Sequence, residues 1–215
     1  MKLYNSRSDL QEFSKTIKIS HYVRCTELLG PYNRFVLWVQ GCCFRCKGCI
    51  AESMQSVEGG YDADIDEIAE IIGKQRNIEG ITISGGEPFL QAEALNVLIS
   101  AVKKKREDFG VIIYSGFTYE ELIINSADNK AVRSLLELTD ILIDGRYDIL
   151  LDNGEFAKGS LNQKIVYLSD RYKKCGIQYY SQEKRKAEIV FYKNKSILTG
   201  VPSHTALEIW ERIIK

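Results

Sequence analysis

Four of the six cysteines in this 215-residue chain fall within eight positions, between Cys42 and Cys49. Cys42, Cys46 and Cys49 form a C-x3-C-x2-C pattern within Gly41-Cys42-Cys43-Phe44-Arg45-Cys46-Lys47-Gly48-Cys49. Thiolates hold iron–sulfur clusters, and a [4Fe–4S] cube ordinarily takes four of them. A tight loop offering three leaves one iron open to a substrate. Cys43 directly follows Cys42, and adjacent residues rarely reach different corners of one cube, so Cys43 reads as packing or as support for the ligands. The competing reading is a structural zinc site. Such sites usually combine two ligand pairs about a dozen residues apart. Here the next cysteine is Cys175, and the only histidines, His21 and His204, are distant in sequence. Zinc or an inert thiol cluster is therefore the minority reading. The isolated Cys25 and Cys175 read as small buried hydrophobes.

A second signal is Ser84-Gly85-Gly86-Glu87-Pro88, directly after an apolar run. Two glycines allow a tight turn and close approach of a ligand to the main chain, and Glu87 presents a carboxylate beside whatever is bound. Alone, a glycine-rich turn after a strand is weak evidence; after a three-cysteine loop it becomes specific. Asp144-Gly145-Arg146 adds charges of both signs, with a surface ion pair at a strand end as its plain alternative.

These groups need a scaffold, and the hydrophobic pattern supplies one. Residues 35–39, 81–83, 111–114 and 141–143 are short, β-branched or aromatic, and apolar nearly throughout. A strand covered on both faces of a parallel sheet reads this way. Between them lie helical patterns: Ile65, Ile68 and Ile72 behind a capping pair of Asp64 and Glu67, then Leu95, Leu98 and Val102, then Leu135 and Leu138 in a helix from near Lys130. Strands alternating with helices imply right-handed crossovers, hence an α/β fold with a parallel sheet or partial (βα) barrel. Ligands of such folds sit at the carboxyl ends of the strands, where all four runs carry their glycine, cysteine or charged residues. Residues 187–192 and 196–199 read as a hairpin around Lys193-Asn194-Lys195. A last helix from near Thr205, with Glu208 as capping partner, is expected to bury Leu207, Trp210 and Ile214. The expected organisation is an N-terminal extension over 1–20, a core over 21–170 and a C-terminal extension over 171–215 packed on that core.

Hydrophobic residues make up 45% and charged residues 27%, the balance of an ordinary globular protein. Lys plus Arg and Asp plus Glu both number 29, which argues against nucleic acid as the main partner. The basic cluster at 103–106 reads as the solvated end of a helix. Residues 1–10 lack the apolar core of a signal peptide, and no run approaches the roughly 18 apolar residues of a transmembrane helix. The expected location is the cytoplasm, with no membrane partner.

Taken together, the segments resemble the radical S-adenosylmethionine (SAM) superfamily, and within it the activating enzymes of glycyl-radical proteins. The resemblance is carried by Gly41 to Cys49, by Ile83-Ser84-Gly85-Gly86-Glu87-Pro88, by Tyr114-Ser115-Gly116-Phe117, by Ile143-Asp144-Gly145-Arg146 and by Gly159-Ser160-Leu161-Asn162-Gln163. It covers roughly residues 30 to 170. It implies that Cys42, Cys46 and Cys49 hold a [4Fe–4S] cluster whose open iron is chelated by the amine and carboxylate of SAM. Ser84, Gly85, Gly86, Glu87, Ser115, Asp144, Arg146 and Asn162 would be the SAM-binding residues. Glu87 would take the amine, and Arg146 would lie close to the methionine carboxylate or ribose, while residues 159–163 help close the site.

The implied reaction begins with a low-potential donor, a flavodoxin or ferredoxin, and yields a 5′-deoxyadenosyl radical that abstracts hydrogen. In the activating-enzyme branch the hydrogen comes from a glycine of a partner glycyl-radical enzyme such as anaerobic ribonucleotide reductase. Two other readings remain: a radical SAM enzyme modifying a peptide or small molecule, favoured by the C-terminal extension, and a non-catalytic iron–sulfur or zinc-binding protein.

Overall fold

The computed structural model describes residues 15–182, 184–192 and 195–213. The signal-peptide reading of residues 1–10, the hairpin turn at Lys193 and Asn194, and the expected burial of Ile214 lie outside the described residues. In chain order the elements are β1 (Thr16–Thr26), β2 (Arg34–Val39), β3 (Tyr61–Asp64), α1 (Ile65–Gly73), β4 (Gly80–Gly85), α2 (Ala92–Lys105), β5 (Gly110–Tyr114), α3 (Tyr119–Ser126), α4 (Lys130–Leu138), β6 (Ile141–Asp144), β7 (Lys164–Tyr167), α5 (Lys173–Tyr180), β8 (Ala187–Tyr192), β9 (Lys195–Gly200) and α6 (His204–Ile213). None of these helices is long and apolar enough to cross a membrane.

The fold is mixed α/β around a mainly parallel sheet of order β3-β1-β2-β4-β5-β6-β7. The four expected strands, β2, β4, β5 and β6, run parallel in register, with Val39 beside Gly85 and Tyr114 beside Ile143 at their carboxyl ends. Antiparallel strands flank them: β1 and β3 on one side, β7 on the other. Strand β1 crosses residue 20, the expected end of the N-terminal extension, and continues the sheet.

One face of the sheet carries Phe35, Leu37, Ile81, Ile83, Val111, Ile113 and Leu142 against the buried stripes of α1, α2 and α4. Those stripes are the periodic residues read from sequence: Ile65, Ile68 and Ile72, then Leu95, Leu98 and Val102, then Leu135. Asp64 caps α1 by accepting from the Glu67 amide. The other face meets α5 and the β8–β9 pair. Val36 and Trp38 pack there with Ile197 and Val201, and Ile112, Ile141 and Ile143 pack with Tyr172. The chain beyond β7 therefore covers the second face, which is why every residue of β2 is buried.

Two expectations fail in this region. The last helix starts at His204 and buries no residue, leaving Leu207 and Trp210 half-buried. Cys25 is exposed, and Cys175 is only half-buried, at the margin of the cluster of Ile112, Ile141, Ile143 and Tyr172.

Candidate active site

At the carboxyl edge of the parallel strands lies a cavity of about 180 Å³. Its walls include Cys42, Cys46, Cys49, Ser84, Gly85, Gly86, Glu87, Ser115 and Arg146, so nine of the eleven expected site residues share one space. Asp144 and Asn162 do not line it. Asp144 is buried beneath, accepting from the amides of Tyr119 at 2.7 Å and Lys164 at 3.2 Å. The Asn162 amide donates to the Arg146 carbonyl at 2.7 Å. Both hold the Asp-Gly-Arg loop in shape from behind.

The thiol loop begins where β2 ends. The amides of Gly41 and Cys42 donate to the carbonyls of Met54 and Gln55, and the buried Gln40 side chain donates to those of Ser53 and Ser56. This closes residues 41–56 into an anchored loop. The glycine-rich turn packs directly on its root: Gly86 N donates to Val39 O and Glu87 N to Gly41 O, both at 2.8 Å. A Cβ on Gly86 would collide with the Gly41 backbone. What approaches this glycine closely is thus the cysteine loop itself, a tighter reason for its identity than the ligand access expected from sequence.

Glu87 is fully buried. Its carboxylate accepts from Phe89 N at 3.0 Å, Ser115 Oγ at 2.9 Å and Gly116 N at 2.8 Å. Burial nevertheless outweighs these donors and raises its pKa to about 7. A carboxylate held in a dry wall with no ion-pair partner among the described residues, and with one lone pair left on its second oxygen, is a seat for a cation.

Around Arg146 the structure adds partners that motif reading missed. The Phe44 ring sits against Gly116, where a Cβ would strike it, and packs edge-on to Phe117 at 4.8 Å. The Arg146 guanidinium lies 4.6 Å from the Phe44 ring centre and donates to Glu121 at 3.1 Å. The thiol loop and the Asp-Gly-Arg loop are thereby stitched together through an aromatic ring. The aromatic character of a residue between two cysteines was the available signal. Gln163 accepts from the amides of Gly159 and Ser160 and donates to Gly145 O, and both Gly159 and Gln163 line the cavity.

Burial pushes the Cys42 thiol up to about 11 and raises Cys46 as well, so both are neutral thiols without a cation beside them. Metal binding deprotonates such groups outright. Among the described residues, no three His, Cys, Asp or Glu side chains stand at mutual metal-ligating positions. The donor chemistry still discriminates. The cavity wall holds three cysteines and no histidine, which fits a three-thiolate iron–sulfur site and lacks the fourth nitrogen or sulfur of a closed zinc site.

Residues 28–166, from ahead of β2 to within β7, match the family described as the 4Fe–4S single cluster domain. The chain belongs to that family. It is also similar to proteins named anaerobic ribonucleoside-triphosphate reductase-activating protein. The one from Vibrio cholerae serotype O1 is 32% identical over 143 residues, 63% of this chain and 88% of that protein. The one from Enterobacteria phage T4 is 28% identical over 145 residues, 66% and 88% of the two chains. For Escherichia coli K12 the figures are 27% over 146 residues, 65% and 91%. The 4Fe–4S single cluster domain contains all the expected site residues and ends before α5. Gly200 and Val201, which also line the cavity, lie outside it.

Proposed function

We propose that this chain is a radical SAM enzyme in which a [4Fe–4S] cluster held by Cys42, Cys46 and Cys49 supplies the electron that splits SAM into methionine and a 5′-deoxyadenosyl radical. The observation that carries the reading is the convergence of three thiols, a buried unpaired carboxylate and an arginine on one cavity at the carboxyl edge of parallel strands. A zwitterionic sulfonium ligand needs partners of both signs, and charged hydrogen bonds in a dry site fix its pose.

Glu87 receives the methionyl amine on the one lone pair left by its three donors. Arg146, held over the Phe44 ring, faces the methionine carboxylate or ribose. Ser84 and Ser115 offer hydroxyls along the wall, the backbone of Gly85 and Gly86 borders the ligand, and Asp144 and Asn162 keep the Arg146 loop in place. Residues 21–170 form the catalytic core, of partial-barrel type, with 171–215 an extension packed on it.

The kinship to reductase-activating proteins supports a protein substrate, a glycine of a glycyl-radical enzyme such as anaerobic ribonucleotide reductase, with flavodoxin or ferredoxin as electron source. A second reading, modification of a peptide or small molecule, is favoured by Gly200 and Val201, which bring the C-terminal extension to the cavity wall. The test is anaerobic reconstitution with iron and sulfide, then electron paramagnetic resonance of the reduced chain with and without SAM. A cluster signal that changes with SAM, with 5′-deoxyadenosine released, supports the proposal. A cluster indifferent to SAM, or bound zinc, leaves a metal-binding module without turnover.

A further inference from the structure

Tyr147 lines the cavity with its ring wedged between two glycines. A Cβ on Gly48, in the thiol loop, would come 3.6 Å from Cε1, and one on Gly159 would come 2.9 Å from Cδ2 at the opposite edge of the ring. Two residues further on, Ile149 sits on Gly48 as well, where a Cβ would meet its Cδ1 at 2.8 Å. The 147–149 stretch therefore lies against the thiol loop between Cys46 and Cys49. The Tyr147 backbone also hydrogen-bonds the Cys46 sulfur. Groups one step behind the ligands orient a metal site, and hydrogen bonds to the sulfurs tune an iron–sulfur cluster.

What fixes Tyr147 is its hydroxyl. Burial and the bond to Asp152 push its pKa up to about 12, so the hydroxyl keeps its proton. It donates that proton to Asp152 Oδ2 at 2.9 Å and accepts from His204 Nε2 at 2.8 Å. The Asp152 side chain is only 11% exposed, and a charge so placed needs a cation. Arg185 supplies it, reaching Oδ1 at 2.7 Å and Oδ2 at 3.0 Å. The same guanidinium donates to the carbonyls of Gly159 at 2.6 Å, Lys158 at 3.2 Å and Glu155 at 3.3 Å. One planar fork thus holds both the acceptor of the Tyr147 hydroxyl and the glycine against which the ring rests. Arg185 and His204 both lie beyond residue 166, where the family match ends.

We propose that Arg185 and His204 are positioning residues for the thiol loop: acting through Asp152 and Tyr147, they set where Cys46 sits and so how firmly this chain keeps its cluster. The inference rests on the assignment of Cys42, Cys46 and Cys49 as the cluster ligands. With three thiols and no fourth protein ligand, a drift of one sulfur is not made good by another. The C-terminal segment is then a working part of the metal centre and not only a cover for the sheet.

The experiment uses the full chain, first cluster-free and then reconstituted with iron and sulfide. In the cluster-free chain, hydrogen exchange read by mass spectrometry should show the amides of 146–150 opening at least about tenfold faster in Arg185→Met than in the wild type, with those of β1 unchanged. In the reconstituted chain, Arg185→Met should lose iron to a chelator at least about tenfold faster. Tyr147→Phe keeps the ring and cuts both hydroxyl links. It should show the same two effects, and it carries the test where Arg185→Met does not fold. Arg185→Lys should fall between, because an ammonium neutralises Asp152 but lacks the fork. Val132→Ala leaves a void in α4 on the other face of the sheet. It controls for lost stability and should release iron at the wild-type rate. A spectroscopic readout separates positioning from weakened folding. The paramagnetic resonance lines of the reduced cluster should broaden in Arg185→Met and Tyr147→Phe, as Cys46 takes up a spread of positions, and keep their wild-type width in Val132→Ala. Wild-type iron release and linewidth in both Arg185→Met and Tyr147→Phe overturn the proposal, and so do equal changes in Val132→Ala. A wild-type chain that assembles no cluster overturns the ligand assignment itself, and the role of Arg185 and His204 falls with it.

Discussion

Replacing Glu87 by glutamine should change how stability depends on pH, in a direction that follows from burial. In the folded chain the Glu87 carboxyl has a pKa of about 7, against an ordinary value of 4.5. Between those values the native state holds a proton that the unfolded state has released. Stability from this group is therefore greatest in acid and is lost as pH rises from 4.5 through 7. A difference of one in pKa between the two states corresponds to about 1.4 kcal/mol, so the wild type forfeits roughly 3 kcal/mol across the window and Glu87→Gln forfeits none of it. The half-buried His21 opposes this trend. Burial and Lys195 lower its pKa to about 4, so its neutral form contributes stability as pH rises toward 6.5. That contribution is common to both proteins and cancels in their difference. The glutamine amide also turns an N–H toward donors that now meet a carboxylate, a loss that does not vary with pH and only offsets the curve. The assay is urea unfolding of the cluster-free chain at half-unit steps from pH 4.5 to 8.5, followed by circular dichroism. The free-energy difference, variant minus wild type, should climb by roughly 3 kcal/mol between pH 4.5 and 7.5 and be flat above. Parallel curves, or a difference that falls with pH, would refute the account of Glu87 as a carboxyl perturbed chiefly by desolvation.

Three further outcomes follow from the same geometry. Gly86→Ala drives a methyl into the Gly41 backbone and should lower unfolding stability by at least about 2 kcal/mol, measured by urea denaturation. Arg34→Met removes one partner from Glu79, which keeps Arg171 and the Tyr172 hydroxyl, and leaves the buried carbonyls of Ile81 and Gly110 without their guanidinium donor, which should cost about 2–4 kcal/mol in the same assay. Cys42→Ser, Cys46→Ser and Cys49→Ser should each lose bound iron and sulfide after reconstitution, whereas Cys43→Ser and Cys175→Ser retain them; iron content per chain checks this.

The parallel strands were legible because burial on both faces makes them apolar without interruption. Strand β1 was not, because it alternates. Ile17, Ile19 and Val23 point inward between Lys18, Ser20 and Arg24, and the polar positions break the continuous apolar stretch that marks the other strands. Helix α3 carries a full capping box, Thr118 with Glu121, a start signal written in the sequence but followed by only two turns of helix. In the site, Glu87 and Arg146 were legible because strand ends concentrate chemistry. Phe44, Tyr147 and Val201 were not, since their contacts join loops far apart in sequence and depend on which loops meet. Arg34 gave no signal at all: a lone arginine ahead of an apolar run reads as solvated, yet its side chain is fully buried.

That arginine explains how the two edges of the sheet divide their tasks. At the amino edge Arg34 Nε donates to Thr82 Oγ1 at 2.7 Å, while its other nitrogens reach Ile81 O, Gly110 O, Glu79 and the Tyr172 hydroxyl. Its fork is used up within the protein, tying β2, β4 and β5 to the residue that precedes α5. At the carboxyl edge the situation is reversed. The Glu87 carboxylate keeps one lone pair free, and three thiols line the cavity. The C-terminal segment joins both arrangements, with Tyr172 inside the closed network and Arg185 and Val201 beside the open one. A segment that served only to cover apolar surface would need neither a buried arginine fork on the 145–163 loop nor a place in the cavity wall. The presence of both ties its anchoring to the geometry of the site.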